Sequence, residues 1–522
     1  MLEKPKLLSL RNLFAVGFVF LMACYTLMSA RILEPFSGAI DLGRHLRDGE
    51  FLLSSSAWQV LHSNFYSYTY PEAPFVDHHW LASIVFFVVW KCAGFVGLNI
   101  FYIAVGAITF LIFFRIAYKA VGFPLSFAIA LPLIPIVRAR SAVRPEIFTF
   151  LLCAIFFWLL WRDLHRSDAP GWKTLLLFGG LQVLWVNLHS GFVFGPFFVG
   201  AFLLGELLEP RKWDGDKLAR VQRLSLILVV TIVACLVNPS GIRGALYPYT
   251  LLMTKQFPVL ENFTVSDVES RGAPIESLSI RSALVLLGLS FVIAAWKRKF
   301  VLPLFILGGT IAILTWEMYR NHPVLGLLTL AIAGINAGLC EVQQIVRDKR
   351  IAVGLLSVAI LGGCYVTFVT LDKEKQGIGF GMKPAREATA QFFLTNHIQG
   401  PILNNFNIGG YLIYYLFPQH RVYLDSRAEA YPSEFMVNGY ILPMQSEQEW
   451  QRLFSAYQFN AIVFCWSSDW EDGFIARRMQ DHDWAAVYVD GGSTILVRRA
   501  PQNQNLISLF EIPRDKLPLV RQ

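Results

Sequence analysis

Hydrophobic residues make up 55% of the 522 residues and charged residues only 16%, where a soluble globular chain carries roughly a quarter charged residues. So few charges cannot cover a water-exposed surface, which excludes a soluble protein and leaves a polytopic membrane protein whose helices satisfy their own backbone hydrogen bonds. The net charge of +8 does not point to nucleic acid, because the cations cluster in short gaps between apolar runs, such as Lys297, Arg298 and Lys299, as cytoplasmic loops do.

The chain starts with Lys4, Lys6 and Arg11 and an apolar run to Ala30. That run is longer than a signal-peptide core and many more follow, so it is expected to be an uncleaved first helix starting in the cytoplasm. Apolar runs then recur at 80–94, 95–114, 120–137, 147–161, 174–188, 191–208, 224–238, 279–296, 301–316, 323–340 and 351–371. The six cysteines Cys24, Cys92, Cys153, Cys235, Cys340 and Cys364 fall in or beside such runs and only Cys465 lies elsewhere, so no disulfide framework is expected.

Charge assigns sides. The loop 31–79 carries six acids, Glu34, Asp41, Asp48, Glu50, Glu72 and Asp77, against Arg31, Arg44 and Arg47, and reads as outside. The loop 209–223, with Arg211, Lys212, Lys217, Arg220 and Arg223, reads as inside, as do 297–299 and 341–350. The chain must therefore cross an odd number of times between 80 and 208, yet six runs lie there. The run 120–137 contains Pro124, Pro132 and Pro135 and is the one expected to be re-entrant. Eleven of the twelve candidate spans then remain, within an expected total of about 11–13, and the segment Arg138–Glu146 moves to the outer side. The expected domains are a transmembrane domain, 1–371, whose first outer loop, 31–79, carries interfacial helices, and an extracytoplasmic α/β domain, 372–522.

Several polar groups then share the outer face. Residues 41–53 suit an interfacial helix, with Leu42, Leu46, Gly49 and Leu53 on one stripe and Asp41, His45 and Asp48 on another. An Asp and a His one turn apart can share a proton, hold a metal or act as a general base; a plain amphipathic helix with a wet polar side reads equally well. "VDHHWL" puts Asp77, His78 and His79 at a helix start, where they either cap it or, with Asp41 and His45, hold a divalent metal. "RARSAVRPE" concentrates Arg138, Arg140 and Arg144 against Glu146. On the outer side that cluster calls for a ligand, and guanidinium forks fit a lipid phosphate. "WVNLHSG" supplies Asn187 and His189, and "YRNHP" supplies Arg320 and His322 between two spans.

After Leu371 the chain is more polar. Strand-like runs at 401–404, 421–424, 461–465, 485–489 and 494–498 alternate with helical patterns around 385–397, 410–417, 446–457 and 469–480, which indicates a small α/β domain. Gly409 and Gly410 read as a tight turn, and "RVYLDSR" ends a strand with Asp425 and Arg427, which either brace a loop or touch substrate. No GxGxxG pattern follows that would bind a nucleotide.

This pattern resembles the GT-C superfamily of integral-membrane glycosyltransferases that use lipid-phosphate sugars, relatives of protein mannosyltransferases, aminoarabinose transferases and oligosaccharyltransferase catalytic subunits. Asp41 matches the acid of their first outer loop, Arg138–Glu146 matches the second loop in position, and "FNIGGYLI…RVYLDSR" is loosely similar to the region around the WWDYG motif of oligosaccharyltransferase, without its tryptophans and Asp. The resemblance implies a bacterial inner-membrane enzyme that takes a polyprenyl-phosphate-linked sugar and a glycan, lipid or protein acceptor on the periplasmic face. Asp41 would be base or metal ligand, aided by Asp77 or Glu146. Arg138, Arg140, Arg144 or Arg320 would grip the phosphate. Rival readings are a transporter or flippase of lipid-linked glycans, a glycan ligase or polymerase, and a non-catalytic assembly partner. The absence of an internal repeat speaks against the transporter.

Overall fold

Each long apolar run closes its own backbone hydrogen bonds as a helix. In the computed structural model of this chain these helices run between the two ends of one bundle, with an α/β domain seated on one end. The structure describes residues 10–517 except 38, 55–56, 139–141, 165–167, 169, 211–212, 254–261, 271–273, 374–376 and 468. Arg140, Arg211 and Lys212 thus lie outside the described residues.

The helices are α1 (Leu10–Ser29), α2 (Leu42–Leu52), α3 (Trp80–Val121), α4 (Phe123–Ala130), α5 (Ile134–Arg138), α6 (Glu146–Arg162), α7 (Trp172–Leu188), α8 (Phe194–Leu208), α9 (Gly215–Ala234), α10 (Gly241–Met253), α11 (Pro274–Trp296), α12 (Leu302–Glu317), α13 (His322–Leu339) and α14 (Lys349–Lys373). The segments Trp80–Val121, Ser190–Leu208, Leu278–Trp296, Tyr319–Leu339 and Arg350–Val369 are long and apolar enough to cross a membrane, and shorter apolar helices lie beside them.

The run that fails to cross is 80–94, not the proline-bearing 120–137. α3 breaks at Gly94, whose φ of 63° suits glycine. Its first half lies across the domain end of the bundle. There Trp80 Nε1 donates to Asn187 Oδ1 at the end of α7 (2.8 Å), and the Trp90 ring stands 5.9 Å from that of Tyr414 in the C-terminal domain. Asn99, well past the break, is still at that end: it donates to Arg31 O (3.0 Å) and accepts from Gly381 N (2.7 Å). Only the rest of α3 reaches the far end, where Ala117 and Ala120 pack on Gly334 and Gly338 of α13. The run 120–137 stays helical because Pro124 sits in the first turn, where the missing N–H has no partner to lose, and because the backbone tightens to a 3-10 turn at Leu131–Leu133 around Pro132 and then continues as α5. With 120–137 running the length of α13 in place of 80–94, the number of runs between 80 and 208 left to cross stays odd.

In the C-terminal domain α15 (Ala388–Thr395), β1 (Ile402–Asn404), α16 (Gly409–Leu416), α17 (Glu447–Tyr457), β2 (Ala461–Cys465), α18 (Asp469–Gln480), β3 (Trp484–Val489) and β4 (Ser493–Arg498) follow the expected order. The sheet runs β1-β2-β4-β3, with β1 and β2 parallel and the other pairs antiparallel. Residues 421–424 form no strand of this sheet; Val422 makes a single bridge to Ser67 of the first loop, and Tyr423 N donates to Asn404 Oδ1 (2.8 Å). Gly409 and Gly410 make no tight turn. They open α16 and let it approach closely: a Cβ on Gly410 would meet Ile40 O at 2.2 Å, and one on Gly409 would meet Leu424 O at 2.5 Å. Glu34 also ties the loop to the domain by accepting from Arg386 (2.9 Å) and Lys383 (2.8 Å).

Candidate functional site

The expectation of a wet polar stripe on α2 is overturned. Arg44, His45 and Asp48 are buried together with Leu42 and Leu46, and Leu53 is exposed. α2 is held between the first half of α3, where a Cβ on Gly49 would meet Ser83 O at 2.3 Å, and α16, where one on Gly43 would meet Gly410 O at 2.4 Å. Its polar residues therefore find protein partners. Arg44 Nη1 donates to Asp48 Oδ2 (2.5 Å), the Tyr66 hydroxyl to Asp48 Oδ1 (2.8 Å), and His45 Nδ1 lies 2.8 Å from Ser83 Oγ. Asp41 sits at the N-cap of α2 but its side chain makes no cap hydrogen bond. It turns away from the helix and accepts from the hydroxyl of Ser426, in the segment "YLDSR".

That segment presents Arg427 to the first loop. Its Nε and Nη2 fork onto Asp425 (2.8 and 2.7 Å), and Nη2 also donates to Asn64 Oδ1 (2.8 Å). The guanidinium lies over Phe75 at 4.8 Å and Tyr66 at 5.7 Å. Asp425 and Arg427 therefore pair with each other, as a bidentate fork does. Burial would raise the Asp425 carboxyl, and the Arg427 charge outweighs it, so Asp425 titrates below its ordinary value.

Beside this pair stands a cluster of imidazoles. His79 lies 5.6 Å from His45, 3.7 Å from His78 and 5.2 Å from His189, ring to ring, and His78 lies 4.3 Å from Tyr247 of α10. His189 Nδ1 accepts from Gly191 N (3.0 Å) and lies 2.9 Å from Thr149 Oγ1. Burial holds His45 and His79 well below their ordinary value and pushes His78 down to about 3. Burial drives the Asp77 carboxyl the other way, up to about 7, with the Asp48 charge adding to it and Arg44 opposing. Asp77 Oδ1 accepts from His79 N (3.0 Å). The charge of Arg144 helps to hold His45 low and that of Arg320 helps to hold His78 low.

Asp41, His45, Asp77, His78, His79, His189, Arg144, Arg320, Asp425 and Arg427 thus gather at the domain end. Arg138 lies at the same end, at the close of α5, beside the Val137 that packs on Gly326 of α13. Glu146 is buried in the first turn of α6, where the helix dipole favours an anion. His322 turns Nδ1 to Tyr319 O (2.7 Å) in the first turn of α13. Among the described residues no group of three or more His, Cys, Asp or Glu side chains is placed to hold a metal ion. The set Asp41, His78 and His79 is not assembled as one: Asp41 turns to Ser426, while His78 Nδ1 lies 3.2 Å from Val76 O.

Sequence reading missed Arg44, Asn64, Tyr66, Tyr247, Ser426 and Glu429. Glu429 is raised by burial and feels Arg44, Arg427 and Asp41. Arg44 was open to notice, since its i,i+4 spacing to Asp48 is that of a helical ion pair. The others are brought in from segments far apart in the chain.

No protein-family model and no curated relative matches the sequence. Among solved structures the chain is similar to the oligosaccharyltransferase of Archaeoglobus fulgidus, determined in complex with Zn and sulfate, with 11% identity and a TM-score of 0.50 over 92% of this chain and 73% of that one. It also aligns with the arabinofuranosyltransferase AftD from Mycobacteria, with 13% identity and a TM-score of 0.49 over 93% of this chain and 41% of that one. The chain thus shares its overall fold with that oligosaccharyltransferase, and among the described residues five of its helices are long and apolar enough to cross a membrane.

Proposed function

We propose that the protein is a bacterial inner-membrane glycosyltransferase that moves a sugar from a polyprenyl-phosphate donor to an acceptor hydroxyl, with inversion. The domain end then faces the periplasm and the N-terminus the cytoplasm. One observation carries this reading: Asp41 from the first loop meets Ser426 from the C-terminal domain at the same end of the bundle as the ring cluster of His45, His78, His79 and His189. In the proposed step the acceptor oxygen bonds to the anomeric carbon on the side opposite the phosphate. The carbon–oxygen bond to phosphate breaks and its electron pair leaves with the phosphate. The acceptor proton passes to Asp41, whose carboxylate is free of a helix-capping role. Arg144 and Arg320, with Arg138 and Arg140 of the same loop, stabilise charge developing on the departing phosphate. His45, His78 and His79, held below their ordinary values by burial, line the site without adding charge that would hold the product lipid.

The test is to incubate the purified protein with polyprenyl phosphates carrying different sugars and to measure release of the sugar-free polyprenyl phosphate. Release from at least one donor, dependent on an added acceptor, supports the reading; no release from any donor refutes it.

A further inference from the structure

The paired charges of the site leave certain buried polar atoms unengaged. Asp77 Oδ2 and Arg44 Nε make no hydrogen bond, and Asn64 Nδ2 faces the Tyr431 hydroxyl without closing one of ordinary geometry; their residues are only 5%, 3% and 0% exposed. The Tyr247 hydroxyl, also buried, faces the Glu429 carboxyl without closing a hydrogen bond of ordinary geometry. These atoms belong together. Asn64 holds Arg427, the charges of Arg44 and Arg427 both act on Asp77, and Tyr247 stacks on His78, next in sequence to Asp77. Leaving a buried polar group unpaired is costly, and native proteins keep few such groups without a reason. Four of those in this chain fall in this one place.

Their chemistry selects a ligand. A phosphate offers only acceptors and would leave the acceptor oxygens of Asp77 and Glu429 without donors. An apolar chain would leave every one of these atoms unpaired. A sugar hydroxyl both donates and accepts, and a vicinal pair of them matches a carboxyl beside guanidinium and amide N–H groups. Resting on the glycosyltransferase reading above, we propose that Asp77, with Arg44 Nε, Asn64 Nδ2 and the Tyr247 hydroxyl, forms the subsite that recognises hydroxyls of the transferred sugar, and that Asp77 determines which sugar is accepted. This separates the labour of the site. Asp41 takes the proton, Arg144 and Arg320 face the phosphate, and Asp77 reads the sugar ring. Burial holds the Asp77 carboxyl near neutrality in its titration, so it can donate to or accept from a hydroxyl.

The test uses the full-length protein in lipid nanodiscs and donors bearing mannose, glucose, galactose or arabinofuranose on the same polyprenyl phosphate. Sites that hydrogen-bond a substrate hydroxyl discriminate strongly against its misplacement. Asp77→Asn should therefore lower kcat/KM for the preferred sugar at least tenfold and shrink its advantage over the next sugar at least tenfold. Binding of sugar-free undecaprenyl phosphate, the probe for an intact fold and phosphate site, should stay within twofold of wild type. If Asp77→Asn does not fold, Asp77→Ser is compared in the same way. An even loss across all donors with their ratios unchanged overturns the assignment, as does weakened undecaprenyl-phosphate binding in a folded variant. If the wild-type protein releases polyprenyl phosphate from none of the donors, the glycosyltransferase reading itself fails and this inference with it.

Discussion

Replacing Arg427 with alanine tests how the C-terminal domain is locked to the first loop. The side chain holds Asp425 through two hydrogen bonds of 2.8 and 2.7 Å, reaches Asn64 at 2.8 Å and lies over Phe75 at 4.8 Å. Asp425 is fully buried, so the variant leaves a carboxylate with no cation in contact. Breaking a buried pair from one side costs about 3–5 kcal/mol. For a domain of this size that lowers the melting midpoint by roughly 10 °C. Trp450 and Trp484 lie in the core of the same domain, so its unfolding in detergent or nanodiscs can be followed by tryptophan fluorescence. The double variant Asp425→Asn with Arg427→Ala should recover at least half of the lost stability, because the stranded charge is gone. A shift of under 2 °C for Arg427→Ala, or no recovery in the double variant, would refute the reasoning.

Gly49→Ala should destabilise the docking of α2 by about 1–3 kcal/mol, seen as a lower melting midpoint, because the added methyl meets the Ser83 carbonyl at 2.3 Å and Phe87 Cβ at 2.5 Å. The Asp77 carboxyl, raised to about 7 by burial, stabilises the fold only while protonated, so its contribution is complete below the ordinary carboxylate value and fades as pH rises through 7. The melting midpoint of the wild type minus that of Asp77→Asn should accordingly fall between pH 5 and pH 9 by an amount corresponding to roughly a few kcal/mol; a difference that stays flat contradicts the burial account. Cys92 is exposed near the end of the first half of α3. A membrane-impermeant maleimide added to intact cells stripped of their outer barrier should label it, and Cys92→Ser should abolish that signal; protection of Cys92 until the membrane is broken would mean that 80–94 crosses after all.

The membrane class, the C-terminal α/β domain and the gathering of ionisable groups at one end were legible because each follows from local pattern: hydropathy, alternation and loop charge. The choice between 80–94 and 120–137 was not. Proline count favoured the wrong run, because a proline in the first turn of a helix costs nothing, whereas the break at Gly94 depends on a backbone angle that no composition reveals. The polar stripe of α2 was seen and its partner was misjudged. His45 and Asp48 have the spacing of a wet face, and only the approach of Ser83, Tyr66 and the Arg427 segment turns that face into an interior. Ser426 was unreadable for the same reason, since its meaning is the contact with Asp41 across 385 positions of sequence.

The most direct test of the central claim is turnover by Asp41→Asn, which keeps the shape of the side chain and its acceptor for Ser426 while removing the base. With a donor that the wild-type protein consumes, release of polyprenyl phosphate should fall at least a hundredfold while undecaprenyl-phosphate binding stays intact. Full release by Asp41→Asn would contradict the account.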